Sequence, residues 1–261
     1  MHDEANRFGI DLSLAQSPDF ADWVGSPPDP EPTTTTTSVS TTSEPTSTPT
    51  SEPPPDGEPL PFPETCNLEG QFPLEVADGW KFVKLAGNLR TPRGVTVDNN
   101  GNLLLVQVGV GLSVHTFGAD GCIASSKTLI TRPGLTHGVA LTPDGNTLYV
   151  SSISTVWRYT YDAASQSVSD ETIVVANMYP ASHSTRTVVV PPATPDLLVV
   201  SLGSDGNLDW DAVAKETGRA IVKVFDISQF PEGGYDYSSE GWYLGYGLRN
   251  EVAIAVDANN M

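Results

Sequence analysis

Short apolar runs separated by polar turn residues dominate the chain from residue 64 onward. Strand-length runs such as Leu103–Leu105 and Leu197–Val200 lie between clusters of Gly, Asp, Asn and Pro. No stretch keeps an apolar period of 3.6 residues for three turns, and only Asp211–Glu216 has the character of a helical turn. This pattern is typical of an all-β fold.

One strand–turn–strand unit recurs along this region. Residues 91–106 and 136–150 each hold a strand, an Asx-Gly turn and a second strand, and a third strand follows each unit. A third copy starts near His183, and a fourth begins at Asn250 and stops after its first strand. A period of about 40–50 residues with three to four strands per copy indicates the blades of a β-propeller.

The composition divides the chain into three regions. Residues 1–26 are interpreted as the remnant of an upstream domain or a disordered tail. Residues 27–63 form a Ser/Thr/Pro-rich linker that is expected to be disordered, because it has almost no apolar side chains whose burial would offset the entropy of ordering. Residues 64–261 are expected to form a truncated propeller, because the fourth copy of the repeat stops within its hairpin.

Charge and composition exclude several classes of partner. Lys and Arg total 13 against 32 Asp and Glu, which gives a net charge of -19 and argues against nucleic acid and anionic membranes. No apolar run approaches the roughly 20 residues that cross a bilayer. The start of the chain has no signal-peptide pattern, yet the linker resembles the glycosylated stalks of secreted proteins. We expect a secreted protein; an unmodified linker in an intracellular protein is the alternative.

Two cysteines, Cys66 and Cys122, leave two interpretations open. They are either buried free thiols or a disulfide that ties the end of the linker to the first sheet, which secretion favours.

Polar residues stand where the innermost strand of each copy begins. In a propeller these starts converge on one mouth of the central channel. His is the usual general base near neutral pH, and Arg pairs with carboxylates. Capping of strands and pairing with nearby acids are the structural alternatives. The residues concerned are Arg93, His137, His183 with Arg186, and Arg249 with Asn250.

Four segments, in this order, resemble the soluble quinoprotein sugar dehydrogenases: residues 156–161, 182–186, 203–207 and 246–252. The sequence is most similar to fungal pyrroloquinoline-quinone (PQQ)-dependent pyranose dehydrogenases, also called L-sorbosone dehydrogenase-like proteins, from about Trp80 to the end. The resemblance implies a partial six-bladed β-propeller with about three blades plus the first strand of a fourth. It also implies oxidation of a sugar at a hydroxyl carbon, with hydride transfer to the quinone and electrons passed to a cytochrome or another acceptor.

The resemblance also implies roles for individual residues. His183 corresponds to the catalytic base, and Arg249 and Asn250 correspond to the pair that contacts the quinone. Arg186 and Arg93 are expected to assist in cofactor binding. His137 is expected on the substrate side, where bacterial relatives have a Gln that is missing here.

Calcium and a haem partner also follow from the resemblance. The ligands of the family's Ca²⁺ are expected beyond Met261, and the Asp205 and Asp209 loop is interpreted as an ordinary solvated loop because it lacks EF-hand spacing. A b-type cytochrome domain fused upstream is the expected electron acceptor, with His2 as a leftover haem ligand; a solvated His in a disordered tail is the alternative.

Two other function classes stay open at this point. A Ca²⁺-dependent six-bladed hydrolase, such as a lactonase, would need Asp, Glu and Asn at the inner strand starts, where this chain has His and Arg. A non-catalytic binding propeller on a stalk is the other. As a sugar dehydrogenase, the chain by itself is expected to be an incomplete, inactive piece.

Overall fold

The computed structural model describes residues 62–70 and 72–257. The predicted remnant at 1–26, with His2, and the linker as far as residue 61 lie outside the described residues and stay predictions. No helix in the described part of the chain is long and apolar enough to cross a membrane.

Three antiparallel sheets make up the fold, and each begins with its innermost strand. The first sheet runs in chain order through β1 (Pro92–Val97), β2 (Leu103–Gln107), β3 (Gly111–Phe117) and β4 (Ile123–Thr131). The second runs through β5 (Leu135–Leu141), β6 (Thr147–Ser152), β7 (Val156–Asp162) and β8 (Ser167–Ala176). The third contains β9 (Val188–Val189), β10 (Leu197–Leu202), β11 (Ile221–Asp226) and β13 (Trp242–Tyr246).

The remaining elements are short. The strand β12 (Tyr235–Asp236) leaves the third sheet and pairs in parallel with β8 at the outer edge of the second. Two 3-10 turns, Trp210–Val213 and Lys215–Thr217, follow β10 where the sequence predicts a helical turn. The sheets are therefore three four-stranded blades, the second with an added edge strand, which confirms the predicted partial propeller.

Neighbouring inner strands approach so closely that they need glycine. A side chain at Gly94 would collide with the carbonyl of His137, and one at Gly138 would collide with the carbonyl of Arg186. These two glycines therefore set the spacing of blades one to three, because only a residue without a Cβ leaves room for the adjacent backbone.

Apolar clusters between successive blades hold the three sheets together. Leu104, Leu112, Leu148 and Val150 belong to the cluster between the first and second blades. The cluster between the second and third blades is larger and includes Phe225. Each fully buried aliphatic or aromatic side chain contributes roughly 1.5–3 kcal/mol relative to exposure.

The segment from Asn250 was expected to be the first strand of a fourth blade. It lies beside the inner strands but is not a β-strand in the structure. Val252, Ala253 and Ile254 line the same cleft as the three inner strands. The Thr187 hydroxyl donates to the Glu251 carbonyl at 2.7 Å, so the segment is tied to the start of β9. Among the described residues none pairs with it as a neighbouring strand, and a strand requires such a ladder of hydrogen bonds.

Cys66 and Cys122 form a disulfide in the structure, with their Cα atoms 5.6 Å apart. The bond ties the segment before the first blade to the turn between β3 and β4. It closes a loop of 56 residues, for which the chain-entropy model gives roughly 4 kcal/mol of stabilisation.

Candidate functional site

The four inner segments enclose an open cleft of about 510 Å³ along the axis of the blades. Arg93, at the start of β1, is exposed and lines this cleft together with His137. Both residues therefore lie at the predicted mouth of the channel.

His137 is engaged with the protein rather than free. Its Nε2 donates to the Val252 carbonyl at 2.9 Å, which leaves Nδ1 as a buried acceptor without a partner. Burial lowers the pKa of His137 despite the opposing effect of the hydrogen bond to Val252, and the charge of Arg93 also lowers it. His137 is therefore a neutral ring that bridges the second blade to the 250–257 segment. Its role toward the substrate stays a prediction.

Arg186 is placed differently from the prediction. Its side chain is fully buried, and burial lowers its pKa to about 10. The guanidinium donates to four backbone carbonyls at 2.7–3.0 Å: those of Ile153, Tyr179, His183 and Thr185. Four of its five N–H groups are used inside the fold, so we assign Arg186 to holding the second and third blades together rather than to the cofactor.

His183 lies in the segment before β9, not at the start of an inner strand as expected. Its Nδ1 lies 2.6 Å from the Ser204 carbonyl and 3.2 Å from the Ser204 hydroxyl. A carbonyl can only accept, so Nδ1 carries the hydrogen and, in the neutral ring, Nε2 carries the lone pair. This is the tautomer that a general base acting through Nε2 requires.

The same serine connects His183 to Arg249 and Asn250. The Ser204 amide donates to the Arg249 carbonyl at 2.7 Å. The exposed Arg249 guanidinium donates to the side chain of Asn207, and Asn250 has a buried Oδ1 without a hydrogen-bond partner. The structure therefore joins His183 and the main chain of Arg249 at Ser204, which the sequence reasoning did not single out, and Asn250 follows Arg249 in the chain.

A second cleft, of about 360 Å³, opens beside this junction. Its lining includes Ser204, Asn207, Asp209, Tyr246 and Arg249. Arg93 and His137 line the axial cleft instead. Of the predicted site residues, Arg249 therefore lines one cleft and Arg93 and His137 the other, whereas His183, Arg186 and Asn250 line neither of the two.

The acidic loop is more ordered than predicted. The Asp209 carboxylate accepts from Arg219 at 2.7 Å and from the Asp205 amide at 2.6 Å, and its side chain is only 4% exposed. The Asp205 carboxylate accepts from the Ser182 amide at 2.6 Å. The interpretation as a solvated loop is therefore wrong for Asp209, whose carboxylate fixes the loop that carries Asn207.

Glu251 is a second residue that the sequence reasoning missed. Contacts between successive inner segments place it in the repeat position that Arg93, His137 and Arg186 occupy. Its Oε2 is buried without a partner. Burial raises its pKa, while a hydrogen bond from its own backbone and the charge of His183 act in the opposite direction. Aligning the fourth repeat with the first three would have identified it.

No group of three or more His, Cys, Asp and Glu side chains suited to a metal ion occurs within residues 62–70 and 72–257.

Comparison with known proteins identifies the family. The family model described as TrAA12-like matches residues 74–261. A pyrroloquinoline quinone-dependent pyranose dehydrogenase of Coprinopsis cinerea is 39% identical over 188 residues, covering 72% of this chain and 26% of the relative. A pyrroloquinoline quinone-dependent sugar dehydrogenase of Hypocrea jecorina (strain QM6a) is 33% identical over 205 residues, covering 75% of this chain and 47% of the relative.

Solved structures agree with these matches. The holo form of the PQQ domain of Coprinopsis cinerea pyranose dehydrogenase superposes with a TM-score of 0.73 at 37% identity, covering 75% of this chain and 49% of that chain. The calcium structure of the Trichoderma reesei family AA12 enzyme superposes with a TM-score of 0.67 at 34% identity, covering 72% of this chain and 48% of that chain. This chain spans about a quarter to a half of these relatives, and it belongs to the TrAA12-like family.

Proposed function

We propose that this chain is part of a PQQ-dependent sugar dehydrogenase, which oxidises a pyranose or related sugar at a hydroxyl carbon. Family membership supports this proposal, as do the names of the two relatives that are more than 30% identical. The chain covers less than half of each of them, so the activity belongs to a longer assembly of blades.

The observation that carries the proposal is the junction at Ser204. One residue accepts a hydrogen bond from the His183 ring and donates one to the carbonyl of Arg249. The candidate base and the main chain of the candidate cofactor contact are therefore tied to the same residue, and Arg249 and Ser204 line the adjoining cleft.

The residues at this junction fit the chemistry of PQQ. The quinone is a tricarboxylate, and the exposed Arg249 guanidinium suits pairing with a carboxylate. The unpartnered Oδ1 of Asn250 marks an amide with capacity for a further hydrogen bond. Arg93 is a second cationic group at the axial cleft, and Arg186 is left out because its side chain is fully buried and four of its five N–H groups bond to backbone carbonyls. When bound, PQQ supplies a two-electron acceptor for hydride.

In this proposal His183 accepts the proton of the sugar hydroxyl at Nε2, while the Ser204 carbonyl holds the ring by Nδ1. Positioned general bases contribute typically about 10²–10⁴-fold to rate. Arg249 acts on the cofactor side by binding and orienting negative charge.

We further propose a secreted protein whose electrons pass to a cytochrome, with Ca²⁺ bound by residues outside this chain. The Ser/Thr/Pro tract supports secretion, and so does the Cys66–Cys122 disulfide, because disulfides persist in oxidising compartments. Calcium is supported by the calcium structure of the Trichoderma reesei relative.

Calorimetric titration of PQQ with Ca²⁺ tests the proposal. Two proteins are compared: this chain, and this chain extended with the remaining blades of the Coprinopsis cinerea relative. Binding to the extended protein, abolished or weakened by Arg249→Ala, is expected. If neither protein binds quinone, the oxidoreductase proposal falls, and a lactone hydrolysis assay then separates a hydrolase from a binding module.

A further inference from the structure

A serine and a histidine form a hydrogen-bonded pair on the first blade, apart from the junction at Ser204. His115 in β3 lies directly opposite Ser126 in β4, and the Ser126 hydroxyl is 2.8 Å from the His115 Nδ1. The histidine is buried, with 3% of its surface exposed, whereas the serine is exposed. A hydroxyl that solvent reaches is therefore in contact with a base that the fold holds in place.

The hydrogen bonds behind His115 fix where its proton lies. The main-chain amide of Arg90 donates to the Gln107 Oε1 at 2.9 Å, and the Gln107 Nε2 donates to the Ser113 hydroxyl oxygen at 2.9 Å. The Ser113 hydroxyl donates to the Leu105 carbonyl at 3.2 Å and also lies 2.9 Å from the His115 Nε2. All of these contacts are hydrogen bonds only when the His115 Nε2 carries the hydrogen and donates to Ser113.

The Ser126 hydroxyl donates to His115, because this arrangement leaves the lone pair of the neutral ring on Nδ1. Burial lowers the pKa of His115, which keeps the ring neutral and able to accept a proton near neutral pH. The contact between Ser204 and His183 differs, since that Nδ1 carries the hydrogen and the Ser204 hydroxyl donates to the Gly206 carbonyl at 2.8 Å. Of these two pairs, the one on the first blade therefore directs its serine proton at a base.

An activated serine consists of a nucleophile, its base and a third group that orients the base. Ser126, His115 and Ser113 supply these parts, with 2.8 and 2.9 Å between successive members. The strand β4 is the last strand of its sheet, so alternate main-chain amides along it point away from β3. Amides at such an edge are donors for the oxygen of a reacting ester, which becomes negatively charged during attack.

We propose that Ser126 is a second reactive site of this chain, a nucleophile that takes the acyl group of carboxylic esters with His115 as its base. The bond from the Ser126 oxygen to the acyl carbon forms, and the bond from that carbon to the alcohol oxygen of the ester breaks. The hydroxyl proton passes to the His115 Nδ1 and from there to the departing alkoxide or phenolate. No quinone takes part, so this site does not rest on the proposed function.

The reaction of the full chain with p-nitrophenyl acetate tests this site. The protein is incubated with the ester, quenched in acid and digested, and the acetylated residues are located by mass spectrometry. Acetylation of Ser126 is expected to be at least about 10²-fold faster than that of Ser125, because a positioned base typically gives such a factor. Ser125 is the matched control within the chain, since it is the neighbouring exposed serine and lies opposite Thr116 rather than His115.

Two variants separate base catalysis from simple exposure. His115→Gln removes the base and should lower the acetylation rate of Ser126 to that of Ser125. Ser113→Ala keeps the base but removes the group that orients it, and should give an intermediate rate. Near-UV circular dichroism establishes that each variant is folded, and the comparison of the two serines in the parent chain needs no variant. Equal rates for the two serines, or an unchanged Ser126 rate in a folded His115→Gln variant, overturns the proposal.

The result is separable from the test of quinone binding. Selective acetylation of Ser126 without quinone binding would leave this site in place while the dehydrogenase proposal falls. Quinone binding together with equal acetylation of the two serines would remove this site alone.

Discussion

The residues at the inner strand starts and those at the junction around Ser204 are of similar types but differ in their contacts and burial. Arg93, His137, Arg186 and Glu251 occupy one repeated position, yet one is exposed, one bridges two segments, one is fully buried and one has an unpaired oxygen. The residues gathered at Ser204 lie instead in the connections before β9 and after β13. The repeat therefore builds the scaffold, while the candidate chemistry lies in connections that interrupt it.

The largest expected effect is on folding stability and concerns Arg186, which belongs to the scaffold. Arg186→Met should leave four backbone carbonyls without their donor, at about 1–3 kcal/mol each before relaxation, and so prevent stable folding. Arg93→Met removes an exposed guanidinium and should change stability by less than about 0.5 kcal/mol. Urea unfolding of both variants checks this, and similar midpoints would contradict the assignment of Arg186.

The next effect concerns the junction. His183→Asn in the extended protein should lower kcat by about 10²–10⁴-fold, because the base is removed. Quinone affinity and the thermal midpoint should stay close to those of the parent. His137→Asn is the matched control. A larger loss of kcat in His137→Asn than in His183→Asn would assign the base to His137 instead of His183.

A smaller effect tests the spacing of the blades. Gly138→Ala places a methyl group against the Arg186 carbonyl and should cost about 1–3 kcal/mol or more, as overpacking does. Gly134→Ala has open space around its Cβ and should be neutral or slightly stabilising. Equal stabilities of the two variants by thermal unfolding would refute the close approach of the inner strands.

The smallest effect is a pH dependence of stability from the first blade. His115 is buried between the hydroxyls of Ser113 and Ser126, and burial lowers its pKa. The unfolded chain therefore binds this proton more readily, so stability is complete above the unfolded pKa of about 6.5 and declines as pH falls below it. His115→Gln should flatten this decline in urea unfolding between neutral and mildly acidic pH, whereas an identical slope would exclude His115 as a cause.

The scaffold could be predicted from sequence because its signals are local. Asx-Gly turns, alternating strands and the glycines at 94 and 138 recur at short range. The roles of Arg186 and Asp209 could not be predicted in this way, because their partners lie far along the chain or depend on how a loop closes: Arg186 contacts a carbonyl 33 residues away, and Asp209 pairs with Arg219. The resemblance selected His183, Arg249 and Asn250, but only the fold shows that Ser204 connects them.

The main chain at Ser204 sets the distance between the two halves of the candidate site. Its carbonyl holds His183 and its amide holds Arg249, and every residue other than proline offers both groups. The Ser204 hydroxyl adds contacts of its own, 3.2 Å from the His183 Nδ1 and 2.8 Å from the Gly206 carbonyl, so another side chain here is expected to loosen the junction without separating its two halves. Proline is the substitution that would break the junction outright, because it has no amide hydrogen to donate to the Arg249 carbonyl.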